Sequence, residues 1–217
     1  MDDRVPTIRW SGSRTAPAQL GRSAEIKGEA MRRKYLGDSY DAVKRMWQDL
    51  LADWAPLYAE PRFIPEDLQA EFIRLTRIPM LLGKPPEAFS ILNDPDTGIR
   101  LPGEENQSEG HTHIAIGTIA KQLRNGAQCV ITFDQSDYRN HGMKRDEQRR
   151  AKMNSLAANG LHSFYFVSHA SFLFAVPDAS AFHRTRAILI DAGIPETRLE
   201  TMPNQAFHRI AHKSGSR

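Results

Sequence analysis

The sequence predicts an α/β fold: a Rossmann-like three-layer sandwich with a mostly parallel sheet and a C-terminal antiparallel hairpin. Three observations carry this. Short apolar runs alternate with segments of helical period, as in βαβ units. The run Val130-Ile131-Thr132-Phe133 is nearly continuous in its apolar character, which suits a strand covered on both faces. Two further strand-like runs, 163–167 and 172–176, are separated by only four residues, Ser168 to Ser171, too short a connection for anything but an antiparallel pair.

The elements follow in order. A short strand is expected to end at Gly37. A helix follows, with Val43, Met46, Trp47, Leu50, Leu51 and Trp54 on one face, stopped at Pro56. Leu57-Tyr58-Ala59 reads as a strand. Pro65-Glu66-Asp67 opens a helix, with proline near the first turn and acids beside the positive end; its apolar face is Leu68, Phe72 and Leu75. Pro79, Pro85 and Pro86 mark a loop. Phe89-Ser90-Ile91-Leu92 is a strand running into the turn sequence Asn93-Asp94-Pro95-Asp96-Thr97-Gly98. Residues 99–112 form a long polar connection, the kind that often serves as a lid. Helices are expected over about 116–124, 144–159 and 179–192, the last closed by Gly193.

Length and composition bound the rest. The 217 residues fit one domain, taken as 31–200, with a flexible basic arm at 1–30 and a polar tail at 201–217. Hydrophobic content of 40% and charged content of 25% are those of an ordinary globular chain. The single cysteine, Cys129, lies in an apolar run and excludes a disulfide framework or a cysteine zinc site within the chain. No apolar run approaches the ~18 residues of a membrane helix, and the N-terminus lacks a signal-peptide core, so a cytoplasmic protein with no membrane partner is expected. A net charge of +3 is compatible with nucleic acid without requiring it.

The candidate chemistry is acidic. In open α/β sheets ligands bind outside the carboxyl ends of the strands. Three loops expected there carry Asp38 and Asp41, Asp94 and Asp96, and Asp134. Clustered carboxylates repel unless a cation sits between them, and hard oxygen ligands suit Mg²⁺ or Mn²⁺. The leading expectation is therefore a metal-dependent hydrolase of phosphodiesters, nuclease-like, with Asp38, Asp94, Asp96 and Asp134 as ligands and Asp94, Asp134, Lys44 and His169 as catalytic groups. Arg139, Lys144, Arg145, Arg149 and Lys152, around one helix start, would hold a nucleic-acid backbone. Each residue also has a plainer reading. Asp38 and Asp41 stand where a helix cap and its reciprocal partner belong. Asp94 and Asp96 flank a proline turn. The basic run, interrupted by Asp146 and Glu147, fits a solvated helix face. His111 and His113, at a helix start, are poorly spaced for a metal pair. His169 is conspicuous because tight turns usually carry Gly or Asn.

Gly-Asp-Ser-Tyr-Asp-Ala-Val-Lys at 37–44, Asp-Pro-Asp-Thr-Gly at 94–98, Phe-Asp-Gln-Ser at 133–136 and Ser-His-Ala-Ser-Phe at 168–172 together resemble an uncharacterised bacterial protein family, over residues 34–176. The resemblance brings no activity with it. More distantly, the element order is similar to that of Rossmann-like methyltransferases, which carry a late antiparallel hairpin and an Asp-Pro pair after a central strand. That similarity implies an S-adenosylmethionine-dependent, or degenerate, relative. The glycine-rich loop that cradles the cofactor there has no counterpart here. A non-enzymatic binding or assembly module, its acids serving only as caps and turn formers, is the third reading.

Overall fold

The first described residues form a turn. The structure, a computed structural model, describes residues 35–104, 110–136 and 142–202. The basic arm at 1–30, Arg139 and nearly all of the tail lie outside the described residues. Among the described residues, 35–37 form a turn and not the end of the strand expected there. Gly37 takes φ 81°, and Asp38 N donates to Tyr35 O at 3.4 Å, closing a turn that offers no edge to a neighbour. Helix α1 (Ser39–Leu51) starts directly after it. Trp47 and Leu51 are buried on its inner face, with Val43, Met46 and Leu50 partly buried beside them.

Strand β1 (Leu57–Ala59) and helix α2 (Glu66–Thr76) follow, then β2 (Ser90–Asn93). The long connection after β2 holds two short strands, β3 (Gly98–Ile99) and β4 (His113–Ile114), paired in parallel. Helix α3 (Ile116–Arg124), β5 (Cys129–Phe133), α4 (Arg145–Ala158), the hairpin β6 (His162–Phe166) and β7 (Phe172–Val176), α5 (Ala179–Asp191) and β8 (Leu199–Thr201) complete the order.

The main sheet has six strands in the order β1-β2-β5-β7-β6-β8. β1, β2 and β5 run parallel. β7 is antiparallel to both β5 and β6, and β8 is antiparallel to β6. The sheet is therefore mixed, not mostly parallel. Two features make it so. The hairpin places β7 between β5 and β6, and β8 adds an edge strand in a stretch whose polar sequence, Leu199-Glu200-Thr201, carries no strand period. Arg149 pins β8 by pairing with Glu200 at 2.7 Å.

Neighbouring residues of β6 meet different helices, as strand alternation requires. Phe166 meets Trp47 of α1, with ring centroids at 5.0 Å and planes 79° apart. Phe164 meets Phe182 of α5 at 5.7 Å. Tyr165, between them, lies under Arg149 of α4, 6.0 Å from its guanidinium. Trp47 also meets Phe172 and Phe174 edge-on, at 5.9 and 5.1 Å, so α1 is held to the hairpin by one ring cluster.

Candidate functional site

The four motifs 37–44, 94–98, 133–136 and 168–172 meet at one edge of the sheet. β1, β2, β5 and β6 share a direction, so the carboxyl ends of β2, β5 and β6 lie together and the β6–β7 turn falls beside them. α1 brings its first turn there by packing, its described lead-in at 35–38 being a turn.

The first cluster is built on α1. Asp38 is the N-cap, extended in backbone, and its Oδ1 accepts from Tyr40 N at 2.8 Å and Asp41 N at 3.3 Å. Asp41 reaches back to Gly37 N at 2.7 Å. Both thus have the capping work that the sequence allowed for them. Lys44, one turn on, donates to Asp41 Oδ1 at 3.0 Å and to Asp94 Oδ2 at 2.6 Å. All three side chains are buried.

Their ionisation follows from this sharing. Burial works against the Lys44 charge, but the carboxylates of Asp94 and Asp41 together outweigh it and hold its pKa above the ordinary value. Asp94 is raised: burial dominates, one shared ammonium opposes it, and the carboxylates of Asp41 and Asp38 add to the rise. One lysine gains two partners while Asp94 gains half of one, so both groups move upward.

The second cluster is built on β5. Asp134 Oδ1 accepts from Ile99 N at 3.0 Å, Ser136 N at 3.2 Å and Ser136 Oγ at 2.6 Å. Its Oδ2 accepts from Lys152 Nζ at 2.6 Å and Tyr165 Oη at 2.7 Å. A carboxylate offers about four lone-pair sites, so Asp134 is saturated within the protein. Burial opposes its charge, yet Lys152, Ser136 and the Ile99 N–H hold its pKa below the usual carboxylate value.

Asp134 also fastens the β2 loop. Gln135 N donates to Thr97 O at 3.0 Å, and Ser136 Oγ lies 2.8 Å from Ile99 O. Gly98 sits so close that a Cβ there would stand 2.2 Å from Asp134 Oδ1, at φ 130°. Only glycine fits that position.

A chain of rings leads outward from these clusters. Lys44 Nζ lies 5.8 Å from the Phe133 centroid, Phe133 lies 5.2 Å from Tyr40, and Tyr40 lies 5.6 Å from His169 at 33°. Gln135 Nε2 donates to Tyr40 Oη at 2.8 Å, and Ser39 Oγ lies 3.4 Å from the exposed His169 Nε2.

The expected site residues therefore divide. Lys44, Asp41 and Asp94 converge, with Asp38 close enough to act on Asp94 electrostatically. Asp134 is engaged by a different lysine, Lys152. Asp96 is exposed, its backbone N–H donating to His111 O at 3.3 Å. His111 Nδ1 meets the Arg62 carbonyl, and His113 Nδ1 lies 3.0 Å from Thr112 Oγ1. Among the described residues, no group of three or more His, Cys, Asp or Glu side chains is placed to hold a metal ion. The basic patch is also corrected in two members. Lys152 is 0% exposed and bound to Asp134, and Arg149 is buried against Glu200. Neither is available to a phosphate backbone. Lys144 and Arg145 are exposed at the start of α4.

Ser136, Lys152 and Tyr165 escaped the sequence reading as partners of Asp134. Lys152 resembled a solvated helical lysine, and Tyr165 resembled core. The one available signal was the spacing of Lys152 on the α4 face that also carries Gln148, Met153 and Leu156, all buried. Comparison with known protein families, curated proteins and solved structures found no match.

Proposed function

We propose that the chain binds a small polar ligand where β2 and β5 end, and that Asp94 holds this ligand and exchanges a proton with it. Asp94 itself carries the reading. It is a 6% exposed carboxylate whose Oδ2 is fixed by Lys44, while its Oδ1 accepts no hydrogen bond among the described residues. A buried carboxylate with a raised pKa and an oxygen left open is suited to take up and return a proton.

Charge narrows the ligand. Lys44 offsets one of the three carboxylates that act on the cluster, Asp38, Asp41 and Asp94. The residual negative potential favours a ligand with a positive charge or several hydrogen-bond donors over a phosphate. S-adenosylmethionine, a sulfonium cation with an amino group and two ribose hydroxyls, has that character. The Asp94-Pro95 pair after β2, the late β6–β7 hairpin, and the meeting of β6 with helices from residues of both parities support a Rossmann-like, methyltransferase-like arrangement. The missing glycine loop points to a binding mode of its own.

This reading is favoured over metal-dependent phosphodiester hydrolysis. In that alternative Asp38, Asp94, Asp96 and Asp134 would share Mg²⁺ or Mn²⁺. The ammonium of Lys44 already occupies the space between Asp41 and Asp94, and Asp134 has no lone pair to give. Calorimetric titration decides between them. S-adenosylmethionine should bind the wild type and lose affinity in Asp94→Asn, while MgCl₂ and MnCl₂ give no heat. Divalent-ion binding without S-adenosylmethionine binding would reverse the order. Binding of neither, with Asp→Ala variants that lose only stability, would leave an assembly module.

A further inference from the structure

Resting on the ligand site just proposed, we infer that His169 is a stacking surface for a planar heteroaromatic ring, which makes the ligand class a nucleoside. The ring would lie on the imidazole, with hydroxyl or amino groups toward Asp94. His169 is exposed at the carboxyl edge of the sheet, in the turn between β6 and β7. Its ring is nevertheless placed. Tyr40 backs it at 5.6 Å and Phe133 backs Tyr40 at 5.2 Å, while Ser39 Oγ meets its Nε2.

The turn beneath is fixed from within. Ser168 Oγ donates to Ala170 O at 2.9 Å and accepts from Ala170 N at 3.0 Å, and Ser171 Oγ donates to Ser168 O at 3.2 Å. An exposed ring on a fixed turn loses little freedom when a base stacks on it, which is what makes aromatic platforms effective and tolerant of base identity. Tyr40 adds a polar handle. Its hydroxyl accepts from Gln135, and its own proton goes to none of the described residues, leaving a donor for a ring nitrogen.

The probe is adenosine, titrated into the full chain while the His169 imidazole C–H signals are followed by NMR. Wild type should show ring-current shifts of those signals. His169→Ala should bind roughly ten-fold more weakly, the lower part of the range for one stacked base. His169→Phe, which keeps a stacking face and loses the nitrogens, should bind within about two-fold of wild type. Adenosine that fails to bind, or binds His169→Ala as well as wild type, overturns the inference. The two readings fail separately. If S-adenosylmethionine binding is lost in Asp94→Asn but untouched in His169→Ala, the site stands and the stacking role falls. If neither substitution matters, both fall.

Discussion

Lys44 Nζ lies 2.6 Å from Asp94 Oδ2, joining the first turns of α1 to the end of β2 across fifty positions of sequence. The ammonium also holds Asp41 at 3.0 Å. Three charged groups are thus withdrawn from water around a single lysine, beneath the ring of Phe133 on one side and Phe72 on the other, each 5.8 Å away. Buried charges are costly unless paired and hydrogen-bonded. The α1 turn is held by this arrangement and by the rings around Trp47.

Removing Lys44 alone should therefore be worse than removing Lys44 together with Asp94. Lys44→Met leaves Asp41 and Asp94 facing each other uncompensated, and should cost about 3–5 kcal/mol in urea unfolding. The double variant Lys44→Met, Asp94→Leu removes one of the two stranded carboxylates and should recover about 1 kcal/mol or more of that loss. A Lys44→Met protein within 1 kcal/mol of wild type would show that the ion pair is not what holds the turn.

A second expectation concerns cations. In wild type the lysine already supplies the positive charge, so Mg²⁺ or Mn²⁺ should leave the melting temperature unchanged. Lys44→Ala opens a space between two carboxylates, with Asp38 nearby, where a small hard cation is favoured. Differential scanning fluorimetry should then show stabilisation by millimolar Mn²⁺ in the variant and none in wild type. Equal shifts in both proteins would place any cation elsewhere.

Gly98→Ala should destabilise the chain by about 1–3 kcal/mol, as overpacking does, because its Cβ would stand 2.2 Å from Asp134 Oδ1 and 2.9 Å from the Gln135 backbone nitrogen. Part of the damage is routed through the Asp134 carboxylate; the approach to Asp134 Cα and Gln135 N, each 2.9 Å, and the φ of 130° remain without it. In an Asp134→Ala background, Gly98→Ala should still destabilise but add less than it does alone, and a double-mutant cycle would measure the difference. Strict additivity would separate the two positions.

Asp94 and Asp134 respond to pH with opposite sign. Asp134 has a depressed pKa in the folded chain. Its stabilising contribution is fully present above the ordinary carboxylate value near ~3.9 and is lost as pH falls through the lower folded value. Asp94 has a raised pKa, so the folded chain holds its proton more tightly. Asp94 therefore favours folding more as pH falls from that raised value toward about 3.9. The stability gap between wild type and Asp134→Asn should narrow below about pH 4, measured by denaturant unfolding. An unchanged gap between pH 6 and pH 2.5 would contradict the assignment.

Most of the helices and central strands were legible because their apolar period is strong: α1 through Trp47 and Leu51, β5 through its continuous run, and the hairpin through its four-residue turn. β8 was not, because an edge strand is fixed by pairing with β6 and by the Arg149–Glu200 bond, neither of which leaves a local pattern. That the loops after β2 and β5 share an edge followed from alternation, but the 37–44 motif was placed there by a strand that the described residues do not contain, and the 168–172 turn was not placed there at all. The division of the acids between two lysines was not, since Lys44 and Lys152 look in sequence like any polar residue on a helix. Burial of a lysine is decided by which carboxylate stands opposite, and that is a matter of sheet order.

The parallel pairing of β3 with β4, Gly98 beside His113 and Ile99 beside Ile114, closes the long connection at its base. Chain added between Ile99 and His113 would leave and re-enter at this paired base, costing only about 0.6 kcal/mol for each doubling of its length. The segment is thus a natural insertion point, where a fluorescent or affinity tag could be spliced beside the Asp94 edge without altering the sheet's strand register.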